Sequence, residues 1–466
     1  MDNSTVAQKK VSKAAIWGWM LFDWASQPFH TLLVTFIFGG YFAGKVAPDP
    51  VTAQEWWSWM LVAVGVTLAV GAPLLGAFAD TTGPRKPWVA LFSVFAIAGS
   101  CYLWFAVAGD SSNAFAILLA FGIMLFGVEF AIVFTNAIMP DLVSREELGR
   151  LSGNGWALGY VGGVVSLLIM LLLMIESSPD SGQTLVGVTP ILGLDEIPYG
   201  GERASGPLSG LWYLIFVLPF FIFTPDTPRR EKVQGAVSKA LGELAATIKN
   251  LPKTPSLFAY LGSSMFYRDS LNGLYTFGAI YASGILGWEA TQLGLFGILA
   301  ALTGAIGAWW GGQLDDARGP RFVISGSILI LIVVCIIIVT TNRESVLMIP
   351  IAEAPGPFAL SDIVFYICGA FIGAAGGSLQ AASRTLMSDQ AQDGNMTEAF
   401  GLYALSGKAT AFLAPALVGL FTAVSGDQRI GITPLILLFL VGLVLLRWVR
   451  EHGDAVPPPA EMASAQ

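Results

Sequence analysis

Gly76-Ala-Phe-Ala-Asp80-Thr-Thr-Gly83-Pro-Arg85 and Gly312-Gln-Leu-Asp-Asp316-Ala-Arg-Gly319-Pro-Arg321 spell one pattern, Gly-x-x-x-Asp-x-x-Gly-x-Arg, at an offset of 236 residues. Two further matches follow in the same order. Thr135-Asn136-Ala-Ile-Met139-Pro-Asp141 pairs with Ser383-Arg384-Thr-Leu-Met387-Ser-Asp389 at an offset of 248, and Gly149 and Gly155 pair with Gly401 and Gly407 at 252. Slowly drifting offsets in a constant order mark a duplicated chain, the signature of two repeated helical bundles. The motif also has a physical sense. Gly76 and Gly312 let helices approach closely, and Gly83 and Gly319 permit a tight turn. Asp80 and Asp316 can accept from the exposed amides of an adjacent helix and meet Arg85 and Arg321.

The segments around the motif are built for lipid. Of the 466 residues, 55% are apolar and only 12% charged, about half the charge of a soluble protein. Runs such as 324–341 carry no charge at all. About 18 apolar residues suffice to cross ~30 Å of hydrocarbon. Twelve such segments are expected, at 16–44, 57–79, 87–108, 114–139, 151–175, 207–223, 256–286, 292–310, 321–341, 361–387, 398–424 and 431–448. The fold class is therefore an all-α membrane protein with twelve transmembrane helices in two pseudo-symmetric six-helix bundles.

The basic residues orient it. With both termini in the cytoplasm, 18 of the 24 Lys and Arg residues fall in the tails and even-numbered connections. Only Lys45, Arg203, Arg343 and Arg429 fall in the odd ones, and Arg268 and Lys408 lie inside spans. The positive-inside rule asks for such a bias. A cell inner-membrane protein is expected, with a cytoplasmic tail at 1–15, bundles at 16–224 and 256–448, a cytoplasmic linker at 225–255, and a second tail at 449–466. Residues 237–249 have helical apolar spacing with interspersed charge. This suits an amphipathic helix on the membrane surface or a solvated linker helix.

Several classes are disfavoured. Cys101, Cys335 and Cys368 sit in apolar runs without paired spacing, and two histidines, His30 and His452, give no zinc site. The pattern Gly-x-x-x-x-Gly-Lys-Ser/Thr does not occur, and there is little material for a nucleophile and base. No enzyme activity and no cofactor are expected. No basic cluster with aromatic residues points to nucleic acid. A monomer working on a small solute in a lipid bilayer is expected, with protons as candidate coupling ion.

Beyond the repeat, the chain resembles the major facilitator superfamily, and within it the vacuole-effluxer-like family. The resemblance rests on Leu21-Phe22-Asp23-Trp24-Ala25-Ser26-Gln27-Pro28-Phe29, on residues 140–160 beginning Pro140-Asp141-Leu-Val-Ser-Arg, on Gly377-Ser-Leu-Gln380-Ala-Ala-Ser383-Arg384, and on Phe400-Gly401-Leu-Tyr403-Ala-Leu-Ser406-Gly407-Lys408. It implies alternating-access transport, with amino acids as the leading substrate class. The first helix departs from the family: Ser26-Gln27-Pro28-Phe29 stands where Asn-Ser-Ala-Phe is usual, and Pro28 and His30 are unusual.

An ionised side chain at mid-bilayer costs about 2.5–3.5 kcal/mol on insertion scales, so intramembrane polar residues are the candidates for substrate and proton binding. Asp23 and Gln27 share a face of the first span, and Glu129 and Asn136 share one in the fourth. The seventh offers Arg268, Asp269 and Asn272, the tenth Gln380 and Arg384, the eleventh Lys408, and the family-like stretch adds Asn154. Glu129 is the first choice for proton coupling because no charged residue lies within ten positions of it. Asp23 is second. Arg384, close to the end of its span, has the option of snorkelling to the membrane edge. The alternative function is a non-transporting assembly factor or receptor that keeps the facilitator fold.

Overall fold

The two motif glycines shape the turns that the sequence assigns them. Gly83 has φ 99° and Gly319 φ 82°, a region that residues with a Cβ rarely adopt. In the computed structural model, which describes residues 11–48, 50–177, 181–228, 242, 246, 249–286, 288, 290–351, 359–391 and 395–453, almost everything else is helix. The elements are α1 (Lys13–Val46), α2 (Pro50–Thr82), α3 (Lys86–Tyr102), α4 (Ala114–Ile138), α5 (Leu148–Ile169, continued to Met174) and α6 (Gly200–Phe223). The second half has α7 (Pro255–Leu286), α8 (Ala290–Arg318), α9 (Pro320–Val339), α10 (Leu360–Gln390), α11 (Met396–Ala409, resumed as Leu413–Ser425) and α12 (Gln428–Leu445).

Ten of these are long and apolar enough to cross a membrane. Of the other two, α7 is polar and α11 is broken. Helix α7 has the length but carries Ser263, Ser264, Arg268, Asp269, Ser270 and Asn272 at its centre. Helix α11 is interrupted at residues 410–412.

Three features differ from the sequence reading. Helices α2 and α8 run on through Asp80 and Asp316, so these carboxylates sit in a last helical turn and the connection shrinks to a few residues. A short hairpin, β1 (Ser345–Val346) with β2 (Ile349–Pro350) antiparallel, lies between α9 and α10. In α1, the helix carries Pro28 and widens into a π-form over Phe29–Phe36. Proline donates no amide hydrogen, and a widened turn absorbs the lost bond. The surface helix expected at 237–249 lies almost wholly outside the described residues.

The halves meet along two seams, α5 against α8 and α2 against α11. Glycines set both. A Cβ on Gly153 would strike the Ala308 carbonyl of α8, one on Gly401 would lie 2.7 Å from the Ala72 carbonyl, and one on Gly76 would lie 2.7 Å from that of Thr397. These are backbone contacts that no rotamer change relieves. We therefore expect Gly153→Ala to part α5 from α8 at the end of the molecule that carries the motifs, hereafter the motif end. Overpacking of this kind costs about 1–3 kcal/mol, and spin-label distances across the seam should lengthen while helix content holds. Unchanged distances would show that the seam is loose.

Candidate functional site

Helix α10 sends one face toward the first bundle, and Gln380 and Arg384, one turn apart, lie on it. Arg384 does not snorkel. It is 4% exposed, and its guanidinium spends its donors across the bundle interface. Nη1 meets Asp23 Oδ2 of α1 at 3.0 Å and Asn136 Oδ1 of α4 at 3.2 Å. Nε donates to Ser152 Oγ at 2.9 Å and Nη2 to the Ser152 carbonyl at 2.8 Å. The guanidinium also lies 4.8 Å from the Trp19 ring and 5.8 Å from that of Trp156, a cation–π cradle. Trp19 is held in turn by its indole N–H on the Thr135 carbonyl at 2.8 Å. One cation of the second bundle is thus bound by three helices of the first. Asn136 and Arg384 are repeat partners at the offset of 248, and here they touch.

One turn along α10, Gln380 Nε2 donates to the Tyr160 hydroxyl of α5 at 3.0 Å. Tyr275 of α7 joins them through its hydroxyl, packed against Gly376.

The second repeat glycine pair is as informative. A Cβ on Gly155 would lie 2.6 Å from Asp23 Oδ2, and one on Gly407 would lie 2.7 Å from the Arg268 guanidinium carbon. Equivalent glycines therefore make room for side chains of opposite charge. Arg268 lies over the Tyr403 ring at 4.1 Å and donates to the Tyr403 carbonyl at 3.0 Å. Asp269, its neighbour, points elsewhere: it is 2% exposed and accepts from the Ala414 amide at 2.8 Å, where α11 resumes.

The motifs form further cross-bundle contacts. Asp80 Oδ1 accepts from Thr397 Oγ1 at 2.7 Å and Oδ2 from the Glu398 amide at 2.9 Å, at the start of α11. Arg85 backs it at 3.2 Å and also reaches Asp141 at 2.9 Å and the Ala137 carbonyl at 2.9 Å. In the second half Asp316 accepts the Arg150 amide at 2.9 Å and pairs with its side chain at 3.2 Å, at the start of α5. Each aspartate thus sits on the amino end of a helix in the other bundle, where the dipole favours a negative charge. The repeat is not exact here. Arg321 turns away from Asp316 to the Arg447 carbonyl at 3.4 Å, and Asp389 is held across the interface by Arg145 at 2.9 Å.

Other sequence candidates are dispersed. Asn154 lines an apolar groove with Trp17, Met20, Ala305 and Trp309 on the outside of the α5–α8 seam. Gln27 donates to Thr31 Oγ1 at 3.4 Å within α1, and the Asn272 carbonyl accepts from Thr276. Glu129 is half-buried and, like His30, makes a polar, ring or electrostatic contact. Its isolation along the chain is therefore not isolation in space. Lys408 lies on the first part of α11, but its side chain is outside the described residues. Sequence reasoning missed Ser152, Trp19, Trp156, Tyr160 and Tyr403. All but Trp19 stand within the stretches that carry the family resemblance, so position in those stretches was the available signal.

Residues 58–454 match the family described as vacuole effluxer Atg22 like. The chain belongs to that family. It is 22% identical over 441 residues to the uncharacterized MFS-type transporter YxiO of Bacillus subtilis, covering 93% of this chain and 94% of that one. Autophagy-related protein 22 of Cryptococcus neoformans is 26% identical over 314 residues, 65% of this chain and 51% of the fungal one. The chain thus spans nearly all of the bacterial relative and about half the length of the fungal relative. Among solved structures, the transporter FucP in the outward conformation aligns over 93% of this chain and 97% of its own with TM-score 0.66 and 14% identity. The proton:xylose symporter XylE aligns over 92% and 93% with TM-score 0.66 and 12% identity. These likenesses establish the twelve-helix facilitator fold.

Proposed function

We propose that this protein is a secondary transporter that moves a small amino-acid-like solute through a cell inner membrane by alternating access, coupled to protons. The observation that carries the reading is the buried Asp23–Arg384 contact between two pseudo-symmetric bundles. A permanent scaffold gains little from such a pair, because apolar residues of similar volume hold an interface as well or better. A contact that must form and break once per cycle has use for it. Oriented by the Lys and Arg bias of its connections, the motif end faces the cytoplasm, and the arrangement seen here is closed to that side.

Arg268 on the Tyr403 ring and Lys408 on α11 supply cations for a substrate carboxylate. The vacuole-effluxer membership and the bacterial relative's description as an MFS-type transporter support transport. The similarity of the fold to XylE, a proton:xylose symporter, supports proton coupling. The buried or half-buried carboxyls Asp23, Glu129 and Asp269 are the groups from which a coupling site is drawn. The decisive test is efflux and uptake in proteoliposomes with a panel of labelled amino acids, with and without a pH gradient. Gradient-dependent movement of at least one is expected, and none across the panel would turn the reading toward a non-transporting receptor or assembly factor.

Arg268→Ala and Lys408→Ala should weaken substrate binding more than they weaken the fold. Loss of a charge-assisted contact costs about 1.5–3 kcal/mol of affinity, roughly tenfold to a hundredfold. Affinity in detergent set against the thermal midpoint checks this, since parallel losses would mark both residues as structural.

A further inference from the structure

Helix α11 stops at Ala409 and resumes at Leu413, and a carboxyl from another helix meets the amino end of the resumed part. Asp269 of α7 is 2% exposed. Its Oδ2 accepts from the Ala414 amide at 2.8 Å, while its Oδ1 is buried without any hydrogen-bond partner among the described residues. No described cation pairs with it. Arg268, beside it in sequence, is turned onto Tyr403. On α10, Arg384 is committed to Asp23, Asp389 to Arg145 and Asp362 to Arg343. On α12, Arg429 is committed to Asp427, and the further charged residues, Arg447, Arg450 and Glu451, lie beyond its other end. On α11, Glu398 lies in the first turn, far from the break, and Lys408 precedes the break with its side chain outside the described residues. Gly273, one turn from Asp269, abuts Leu435 and Ala414, so the surroundings are apolar.

We infer that Asp269 holds a proton on Oδ1 in this closed arrangement, and that this is the proton-binding site of the transport cycle. This deepens the proton-coupled reading above and rests on it. A buried carboxylate with one hydrogen bond and no counter-ion among the described residues is costly. A proton is the one ligand that removes that cost without further coordinating atoms. Its departure does have a structural consequence. The ionised group would draw on the amino-end amides of the resumed helix, to which Ala414 belongs, or would have to reach water. Both change the bend of α11, and α11 forms the α2 seam that closes the motif end. Proton release and opening are thereby linked through one side chain. The sign follows: the closed arrangement is favoured when Asp269 is neutral, at lower pH, and loses that advantage as pH rises and the group ionises.

Asp269→Asn is the test, because its amide oxygen can still accept from Ala414 while the titration is gone. Infrared difference spectra of the detergent-solubilised protein, taken across pH without any substrate, should show a protonated-carboxyl band that Asp269→Asn removes. Spin-label distances across the motif end should shift with pH in the wild type at least threefold more in population than in the variant. A band that survives Asp269→Asn, or an undiminished pH response, overturns the proposal. Should Asp269→Asn fail to fold, Asp269→Glu must keep a titrating band at a displaced midpoint, and an unmoved midpoint counts equally against it. Because no substrate is used, the site stands if the band behaves as expected while the solute panel shows no transport. Gradient-driven accumulation that persists in Asp269→Asn sinks the site and leaves the transport reading intact.

Discussion

Asp23→Asn is expected to favour the open motif end by about two orders of magnitude and to stop vectorial transport. The substitution keeps the shape and one acceptor but leaves the Arg384 guanidinium, 5% exposed at its side chain, with only neutral oxygens from Asn136 and Ser152. Removing one partner of a buried pair costs about 3–5 kcal/mol, because the other charge stays buried and unmatched. Asp23 retains 18% side-chain exposure, which places the expected cost near the lower figure, about 3 kcal/mol. The penalty falls mainly on the closed arrangement, since opening separates the bundles and lets water reach Arg384. Distance distributions across the motif end should therefore move toward long separations, with the thermal midpoint lowered less than a global loss of about 3 kcal/mol implies. The double variant Asp23→Asn, Arg384→Gln removes the orphaned charge and should close again, in part. If the double variant is as open as Asp23→Asn alone, the pair is not the lock described here. A reversed pair, Asp23→Arg with Arg384→Asp, should perform worse than the double neutral variant. The Trp19 and Trp156 rings and the Ser152 oxygens are arranged around a cation on α10.

How much of this was open to sequence reading depended on whether a feature is local. Ten of the spans were legible because lipid demands a run of apolar residues, and the duplicated motif was legible because its spacing survives in both halves. The intramembrane polar residues could be named for the same reason: each is expensive where it stands. Their partners could not. Asp23, Asn136, Ser152 and Arg384 are brought together from four helices across up to 361 residues, and helical periodicity reports only what shares a face of one helix. That is why Glu129 stood first for isolation that holds only along its own helix, and why Asp269 was grouped with Arg268 although the two point to different partners. The option of snorkelling for Arg384 had the same origin. Distance from the end of a span measures what a side chain can reach outward, not what waits inward.

The repeat predicts equal roles for Asp80 and Asp316, but their surroundings predict unequal effects. Both accept amides at the start of a helix in the opposite bundle, and an Asn side chain keeps one oxygen to accept there, so each substitution by Asn loses the charge and the second acceptor. Against a helix amino end that charge is worth about 0.3–1 kcal/mol. The difference lies in the arginine behind it. Asp80 and Arg85 are 4% and 6% exposed at their side chains, so Asp80→Asn leaves a buried guanidinium dependent on Asp141, whose side chain is 56% exposed. Arg150, paired with Asp316, is itself 56% exposed, and an exposed pair contributes at most about 1 kcal/mol. Asp80→Asn should thus displace the opening equilibrium by about 3 kcal/mol, the lower figure for a broken buried pair, and Asp316→Asn by about 1 kcal/mol or less. In exchange assays both should alter the rate of conformational switching while substrate affinity stays within about threefold, since the motif end lies roughly 15 Å from the bilayer midplane. Raising the salt concentration separates them further: it should shrink the small Asp316 effect, which is screened, and leave the Asp80 effect nearly untouched. Equal displacement by the two substitutions, at any ionic strength, would mean that the buried Arg85 contact contributes nothing beyond the helix amides.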